Sequence, residues 1–240
     1  MIFSRWIAHR GAGKLAPENT LAAFKLGAHH GYRQFECDVK LSADEQVFLL
    51  HDETLNRTTN GNGIAGDLNW STLSELDAGS WHSPQYQGER LPLLQDIAQF
   101  CLSQRFFLNL EIKPSTGLER RTGECVAELA QALWKNQTAL PLMTSFKYEA
   151  LAGAKSIAPQ LPRGLILNQW QDDAFELSRE LACTTLVCHH RLWTRERVEQ
   201  AHRLQLNCFS YTVNHARDAE RLQALHVDAL ITDEVQKFAP

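Results

Sequence analysis

Short apolar segments recur along the chain, and segments with helical spacing of apolar residues lie between them. In one of these, Leu94, Ile97, Ala98 and Cys101 follow the i, i+3, i+4, i+7 spacing of a single helix face. Strands that alternate with helices are typical of βα units around a parallel sheet. The strand-like segments cover residues 6–9, 34–41, 47–51, 106–113, 141–146, 164–167, 185–189, 207–213 and 229–232.

The length of the chain indicates how these units are arranged. Its 240 residues are close to the roughly 250 of a single (β/α)8 barrel. We therefore expect an α/β fold, a (β/α)8 TIM barrel, with residues 1–240 forming one domain.

One stretch, from about residue 52 to residue 91, interrupts the alternation. It contains Asn60-Gly61-Asn62-Gly63, Gly79 and Gly88 among polar residues, and glycine and asparagine at this density mark turns. We interpret it as a small insertion between the second and third barrel strands. Trp70 and Trp81 within it either line a substrate entrance or pack the insertion onto the barrel.

Composition and charge exclude some classes of protein. Lys plus Arg number 24 and Asp plus Glu number 28, a net charge of −4, and no basic block indicates nucleic-acid binding. No apolar run approaches the ~18 residues of a membrane span, and the first residues lack the pattern of a signal peptide. We expect a soluble, cytoplasmic protein that does not insert into membranes.

The six cysteines show no C-x-x-C pair and mostly have apolar neighbours. Such a pattern favours reduced, buried thiols over a disulfide framework or a zinc site.

The first candidate catalytic residues lie where the first predicted strand ends, at His9-Arg10-Gly11. Five residues later comes a second motif, Pro17-Glu18-Asn19-Thr20. Imidazole titrates near neutral pH and guanidinium binds phosphate or carboxylate oxygens. Thr20 is a candidate N-cap of the next helix. Glu18 and Asn19 are either helix-cap residues or hold the first loop and its histidine by hydrogen bonds.

Three further groups of polar residues lie near predicted strand ends. Because side chains alternate along a strand, Glu36 and Asp38 share one face, and so do Glu111 and Lys113. His51 precedes Asp52 at the end of another segment. Several carboxylates on one face are costly unless a cation lies between them, and an oxygen-rich site suits a hard divalent ion.

Together, H-R-G-x5-P-E-N-T, E-x-D, H-D and E-x-K, in this order, resemble the glycerophosphodiester phosphodiesterase family, in its cytosolic bacterial type. The resemblance extends from about Trp6 to about Glu234. It implies metal-dependent hydrolysis of small-molecule glycerophosphodiesters, which are deacylated phospholipid head groups, to sn-glycerol 3-phosphate and an alcohol. The implied cofactor is one divalent cation, Mg2+ or Ca2+.

The resemblance also implies a role for each matching residue. His9 and His51 would be the general acid and base, without an assignment of which is which. Tyr211 stands where the family often has Trp, so an aromatic substrate wall of different size and polarity is expected. Glu36, Asp38 and Glu111 would hold the cation, and Arg10 and Lys113 would contact the substrate phosphate.

Three rival functions are less favoured. Phospholipase-type barrels also use two histidines, but they act on membranes or outside cells, and the sequence shows neither an export signal nor a lipid-binding patch. An amidohydrolase requires His-x-His at the first strand, where this chain has His9-Arg10-Gly11. A barrel that binds glycerol phosphodiesters without turnover is disfavoured because every expected catalytic position is filled. His189 and His190 have no assigned role, and at most one of them can face the barrel mouth. The head group, the oligomeric state and the choice between direct water attack and a cyclic phosphate intermediate are not determined.

Overall fold

Nine β-strands account for the sheet within residues 5–240, the part of the chain that the computed structural model describes. Each overlaps one of the nine predicted segments. The strands are β1 (Trp6–Ala8), β2 (Gln34–Leu41), β3 (Val47–Leu49), β4 (Phe107–Ile112), β5 (Leu142–Ser145), β6 (Arg163–Leu167), β7 (Thr185–His189), β8 (Asn207–Tyr211) and β9 (Ala229–Thr232).

Eight of these strands run parallel and close into a barrel. Strand β1 pairs with the last strand, β9, at Trp6↔Leu230, and with β2 at Ala8↔Phe35. The predicted (β/α)8 TIM barrel is therefore confirmed. Strand β3 is different, because it runs antiparallel to β2 as a short hairpin partner outside the barrel. Its residues are as apolar as those of a barrel strand, so only the direction of its pairing with β2 distinguishes β3 from the barrel strands.

Helices follow the strands around the barrel. Thr20 caps the first, since its hydroxyl accepts from Ala23 N at 3.3 Å, and Gly31 at φ +93° lies just beyond its end. The helices are α1 (Leu21–His29), α2 (Trp70–Leu73), α3 (Leu94–Gln104), α4 (Glu119–Leu133), α5 (Tyr148–Ile157), α6 (Ala174–Glu180), α7 (Arg195–Arg203) and α8 (Ala216–Ala224).

Side-chain alternation along β2 separates the apolar layer from the polar mouth. Phe35, Cys37 and Val39 pack outward against the helices. Glu36 and Asp38 lie on the opposite, inward face. Apolar residues from the other strands form a packed interior below this polar mouth: Ile7, Phe107, Leu142, Ile166, Val187, Phe209, Ala229 and Ile231.

The segment between β3 and α3 is an insertion between the second and third barrel strands, as predicted. It has a small core of its own, formed by Phe48, Leu50, Leu55, Ala65, Leu73, Ala78 and Leu91. Trp70 packs against this core, with its ring 5.9 Å from that of Phe48. The assignment of residues 1–240 to a single domain stays a prediction.

Two other expectations concern the whole chain. The six cysteines are all free, and only Cys183 is not fully buried. Within residues 5–240, no helix has the length and apolar character needed to span a membrane. Residues 1–4, on which the expected lack of an export signal partly rests, lie outside the described residues, and the cytoplasmic location stays a prediction.

Candidate active site

The carboxyl ends of the parallel strands bring the predicted site residues to one mouth of the barrel. His9 follows β1, Glu36 and Asp38 lie in β2, Glu111 lies in β4, and Lys113 directly follows β4. In (β/α)8 barrels this face carries the active site. The hairpin of β2 and β3 adds His51, two residues beyond the end of β3, to the same mouth.

Three carboxylates form the centre of the site. One ligand oxygen each from Glu36, Asp38 and Glu111 lie within 4.8 Å of one another, and Asp38 is directly opposite Glu111 in the β2–β4 register. Each has one buried oxygen, Glu36 Oε1, Asp38 Oδ1 and Glu111 Oε1, without a hydrogen bond from the described residues. Three carboxylates this close together suit a divalent cation, although Glu111 Oε1 also lies 3.1 Å from Lys113 Nζ.

The pKa shifts of the three carboxylates also indicate that the cluster requires a cation. Burial and the charge of Asp38 raise the pKa of Glu36 to about 8, and the same two causes raise the pKa of Glu111. Burial also acts to raise the pKa of Asp38, but Arg10, His51 and Lys113 outweigh it, and the net shift is downward. Full ionisation of all three carboxylates therefore requires additional positive charge between them.

The first loop (residues 9–20) holds Asp38 and Arg10 in place. Asn19 Nδ2 donates to Asp38 Oδ2 at 2.8 Å, and Asp38 N donates to Asn19 Oδ1 at 3.1 Å. Arg10 Nη1 donates to Glu18 Oε1 at 2.8 Å, and Arg10 Nε lies 3.1 Å from Asp38 Oδ2 without the geometry of a hydrogen bond. Glu18 and Asn19 therefore hold the loop, although neither bonds to the histidine side chain.

Arg10 and Asn19 both adopt left-handed backbone conformations, with φ of 51° and 60°. Such conformations are uncommon for residues with side chains and cluster at functional sites. Gly13, at φ +56°, is needed for space, because a Cβ there would lie 2.1 Å from Asp233 O. The first loop is thus pressed against the end of the last strand.

His9 is oriented by Asp233, which directly follows β9. His9 Nδ1 lies 2.5 Å from Asp233 Oδ1, and Asn214 Nδ2 donates to the other oxygen of Asp233 at 2.8 Å. His9 Nε2 points to the carboxylates, 3.7 Å from Glu36 Oε2. Burial lowers the pKa of His9, but Glu36 and Asp233 outweigh it, so the net shift is upward.

His51 has a similar arrangement on the other side of the cluster. Its Nδ1 lies 2.6 Å from Asp52 Oδ1, and its Nε2 lies 3.2 Å from Lys113 Nζ. Since a lysine ammonium can only donate, this contact requires a lone pair on Nε2, with the ring proton on Nδ1. Burial, Arg10 and Lys113 lower the pKa of His51, which agrees with a neutral ring. Lys113 Nζ also lies 3.1 Å from Glu111 Oε1.

Sequence reasoning missed three residues that orient these groups. In the sequence, Asp52 is only the residue that follows His51. Asp233 could have been found, because it is an acidic residue at a strand end like Glu111. Arg57, in the insertion, donates to both Asp52 and Glu18. No local pattern marked it as part of the site.

Aromatic side chains form one wall of the mouth. The Tyr211 hydroxyl donates to Leu167 O at 3.1 Å, and its ring meets those of Phe146 and His189 edge-on, each at 5.9 Å. His190 lies 3.5 Å from Asp218. One of the two adjacent histidines thus contacts the aromatic wall, and the other lies against α8.

Two cavities open beside the carboxylates. The His9 cavity, about 430 Å3, is lined by residues that include His9, Arg10, Trp81, His82 and Asp233. Trp81 therefore lies at an entrance to the site, unlike Trp70. His82 lines the same entrance.

The lysine cavity, about 390 Å3, lies on the His51 side. It is lined by Lys40, His51, Asp52, Glu53, Ile112, Lys113, Pro114, Thr116, Ser145, Phe146 and Lys147. Burial and the neighbouring Lys113 lower the pKa of Lys40 to about 8. The carboxylate cluster is thus flanked by two spaces, each bordered by one of the two histidines.

The fold and the site define a class of protein: a (β/α)8-barrel enzyme with two aspartate-oriented histidines and a carboxylate cluster suited to a divalent cation. Residues 9–237 match the model of the glycerophosphoryl diester phosphodiesterase family. The chain belongs to this family, and the predicted resemblance is confirmed. The family is generally dependent on a divalent metal.

Similar proteins support this membership. A glycerophosphodiester phosphodiesterase of Caldanaerobacter subterraneus subsp. tengcongensis is 32% identical, over 95% of this chain and 93% of its own length. A phosphodiesterase structure from Oleispira antarctica, in complex with the product sn-glycerol-3-phosphate, is 33% identical with a TM-score of 0.90, covering 98% of this chain and 94% of that one. The glycerophosphodiester phosphodiesterase structure from Agrobacterium tumefaciens is 28% identical with a TM-score of 0.81 and covers 99% of both chains.

Proposed function

We propose that this protein hydrolyses glycerophosphodiesters to sn-glycerol 3-phosphate and an alcohol, using one divalent cation and two histidines. The observation that carries the proposal is the cluster of three carboxylates, Glu36, Asp38 and Glu111, at the mouth that also carries His9 and His51. A phosphodiester is an anion with a poor leaving group, so its hydrolysis needs charge stabilisation, a base and an acid. The similarity to a phosphodiesterase that binds sn-glycerol-3-phosphate supports this substrate class.

Glu36, Asp38 and Glu111 are the residues that would hold the cation. Their hard oxygen donors fit Mg2+ or Ca2+. When bound, the ion would neutralise charge on the phosphoryl oxygens. Arg10 and Lys113, on either side of Asp38, would bind the remaining phosphate oxygens; Glu18 keeps the guanidinium of Arg10 oriented.

The two histidines would carry the proton transfers. His51, held neutral with Nε2 accepting, suits the base, and His9, whose pKa is shifted upward by Glu36 and Asp233 despite burial, suits the acid. Asp52 and Asp233 each fix one ring by a bond to Nδ1. All of these groups come from a single chain, and we propose that residues 1–240 act as one catalytic domain.

The test is release of sn-glycerol 3-phosphate from a panel of glycerophosphodiesters, measured with Mg2+, with Ca2+ and with a chelator. We expect product with at least one of the ions and none with the chelator. Glycerol 1-phosphate and other phosphate monoesters serve as substrates that should stay intact. A protein that binds the diesters by calorimetry yet releases no product with either ion would be a binding barrel, and the proposal would fail.

A further inference from the structure

Lys40 is the next inward-facing residue of β2 after Glu36 and Asp38, and it is only 2% exposed. Its Nζ donates to the backbone oxygen of Lys113 at 3.1 Å. An ammonium group has three protons to donate, and among residues 5–240 no carboxylate oxygen lies within 4.0 Å of Lys40 Nζ. Lys40 is thus a buried cation without a counter-ion, an arrangement that is costly unless something else supplies the charge.

Other buried cations near the barrel are balanced. Lys113 pairs with Glu111, and Arg10 pairs with Glu18 and Asp38. Arg163 is also 2% exposed and has no carboxylate partner in the described part of the chain, but it donates five hydrogen bonds to backbone carbonyls. Lys40 donates only one hydrogen bond to a backbone carbonyl of the described residues, and its side chain lines the lysine cavity.

No charged residue that lines the lysine cavity forms an ion pair with Lys40, although Asp38, Asp52 and Glu53 attract its ammonium group from beyond 4.0 Å. Lys113 and Lys147 add two further ammonium groups to its lining. Of the two acidic residues there, Asp52 already bonds to His51 and Arg57, and Glu53 is exposed and forms no ion pair with Lys40. A negatively charged ligand would therefore be stabilised in this cavity.

The two halves of a glycerophosphodiester differ in what they offer such a cavity. The glycerol half carries only neutral hydroxyl groups, whereas the alcohol half differs between substrates and can carry charge. We propose that the lysine cavity binds the alcohol half of the diester and that Lys40 pairs with an anionic group, a carboxylate or a phosphate, on that alcohol. This inference rests on the proposed function and names the substrate class within it.

The same geometry disfavours a quaternary ammonium head group such as choline. A cation in the cavity would meet three lysines, and like charges at short distance repel. Phe146 could offer a ring to a cation, but Lys113 Nζ already lies 5.6 Å from its centroid.

The test uses diesters of sn-glycerol 3-phosphate whose alcohols carry different charges. In the first diester the phosphate is esterified to the hydroxyl of 3-hydroxypropanoate, which leaves a free carboxylate. In the second it is esterified to the hydroxyl of 3-hydroxypropanamide, the neutral isostere. A 2-hydroxyethyl phosphate ester tests phosphate as the anionic group, and the choline ester tests a cation. We expect kcat/KM for the carboxylate ester to exceed that for the amide by about tenfold or more, as for one charge-assisted pair, and the choline ester to be the poorest.

Lys40 variants show whether this residue is responsible. Lys40→Met should reduce the carboxylate-to-amide ratio to near 1, whereas Lys40→Arg should keep it. Lys25→Met, at an exposed position of α1, is the matched control and should behave as wild type. If Lys40→Met does not fold by circular dichroism, Lys40→Gln is the second neutral variant.

Two outcomes overturn the inference: a wild-type enzyme that does not distinguish the esters by charge, or a folded Lys40→Met enzyme that keeps the preference. If no ester of any kind releases sn-glycerol 3-phosphate, the proposed function has failed. Calorimetric binding of the carboxylate and amide esters to wild type and Lys40→Met then decides the subsite separately. Tighter binding of the carboxylate ester that the substitution removes supports the subsite, and equal binding overturns it.

Discussion

Arg57 and Glu18 meet in a two-point ion pair, with Arg57 Nη1 2.7 Å from Glu18 Oε2 and Nη2 2.8 Å from Glu18 Oε1. The same guanidinium donates to Asp52 Oδ2 at 2.7 Å and to Asp52 Oδ1 at 3.0 Å. Because Glu18 orients Arg10 and Asp52 orients His51, one residue of the insertion connects both sides of the candidate site.

This connection predicts that Arg57→Ala impairs turnover more than stability. Arg57 is partly exposed, and ion pairs in such positions contribute about 0–1 kcal/mol to folding. Loss of alignment of reacting groups can reduce the rate about 10- to 100-fold. Steady-state kinetics should show a reduced kcat, with the melting temperature nearly unchanged.

Arg121→Ala is the matched control for Arg57, because Arg121 forms a two-point pair with Glu45 on the surface. Its kcat should equal that of wild type. A folded Arg57→Ala enzyme whose kcat stays within a factor of two of wild type would show that the connection has no role in turnover.

Metal dependence is the second prediction. Glu36→Gln, Asp38→Asn and Glu111→Gln should each weaken cation binding by at least about tenfold while the barrel stays folded, because the cluster lies at the mouth and the apolar interior lies below it. Calorimetric titration with Mg2+ and Ca2+, together with circular dichroism, measures both. Undiminished turnover by verified metal-free enzyme would contradict the assignment.

The third prediction concerns the histidines. His9→Ala and His51→Ala should each reduce kcat by roughly 10²- to 10⁴-fold, the range for loss of a proton-transfer group. A diester with a p-nitrophenol leaving group needs little help from an acid in the step that expels it. The rate of p-nitrophenol release in a single turnover should therefore be largely restored in His9→Ala but not in His51→Ala.

His189→Ala and His190→Ala are the controls, expected to have mild effects, since the first ring borders Tyr211 and the second lies by Asp218. If the activated diester rescues His51→Ala instead, the acid and base assignments are reversed. Retention of more than about a tenth of turnover by His9→Ala or His51→Ala on ordinary substrates would remove that residue from the proton-transfer steps.

The fourth prediction concerns the nucleophile. We expect the glycerol 2-hydroxyl to attack phosphorus, releasing the alcohol and forming a cyclic phosphate that water then opens. Well-oriented intramolecular groups reach effective molarities of about 10⁵ M or more, and a histidine on each side of the cluster allows acid and base to exchange roles between the two steps. A 2-deoxy substrate should bind without being cleaved, and rapid quench should detect the cyclic phosphate. Fast hydrolysis of the 2-deoxy substrate with one solvent oxygen incorporated would establish direct water attack.

The fifth prediction concerns the stability of the insertion. Asp77 accepts hydrogen bonds from the backbone N–H groups of Gly79, Ser80 and Gly88, and these bonds lower its pKa. Asp77→Ala should therefore cost about 1 kcal/mol of stability, a fall of roughly 2–4 °C in melting temperature.

The pH dependence of this effect has a definite sign. Because the pKa of Asp77 is lower in the folded than in the unfolded protein, its contribution is complete above about pH 4 and is lost as the pH falls further. Melting curves at neutral pH and at acidic pH should show the difference between wild type and Asp77→Ala shrinking on acidification. Asp67→Asn, at an exposed position, is the control. A difference that does not change with pH would mean that the carboxylate charge is not what stabilises the loop.

The sequence by itself determined the barrel and the inward face of β2. Strand and helix periodicity is local, so the apolar spacing of α3 and the alternation that places Glu36 and Asp38 together could be read directly from neighbouring residues. The site motifs likewise lie at strand ends, and parallel strands in a barrel share one carboxyl face. That is why residues from distant parts of the chain could be predicted to meet there.

Only the tertiary structure decided which side chains support and border that site. The sequence shows Asp233 at a strand end, but only the fold places it against His9, 224 positions away. The antiparallel direction of β3 likewise depends on its pairing with β2. Arg57 and Lys40 show the same limit. Arg57 is important because it bonds to Glu18 and Asp52 at once, and Lys40 because no carboxylate oxygen of residues 5–240 lies within 4.0 Å of its Nζ. Local patterns specify backbone conformation and the direction of side chains, but the charge balance of a buried group depends on every element that packs around it.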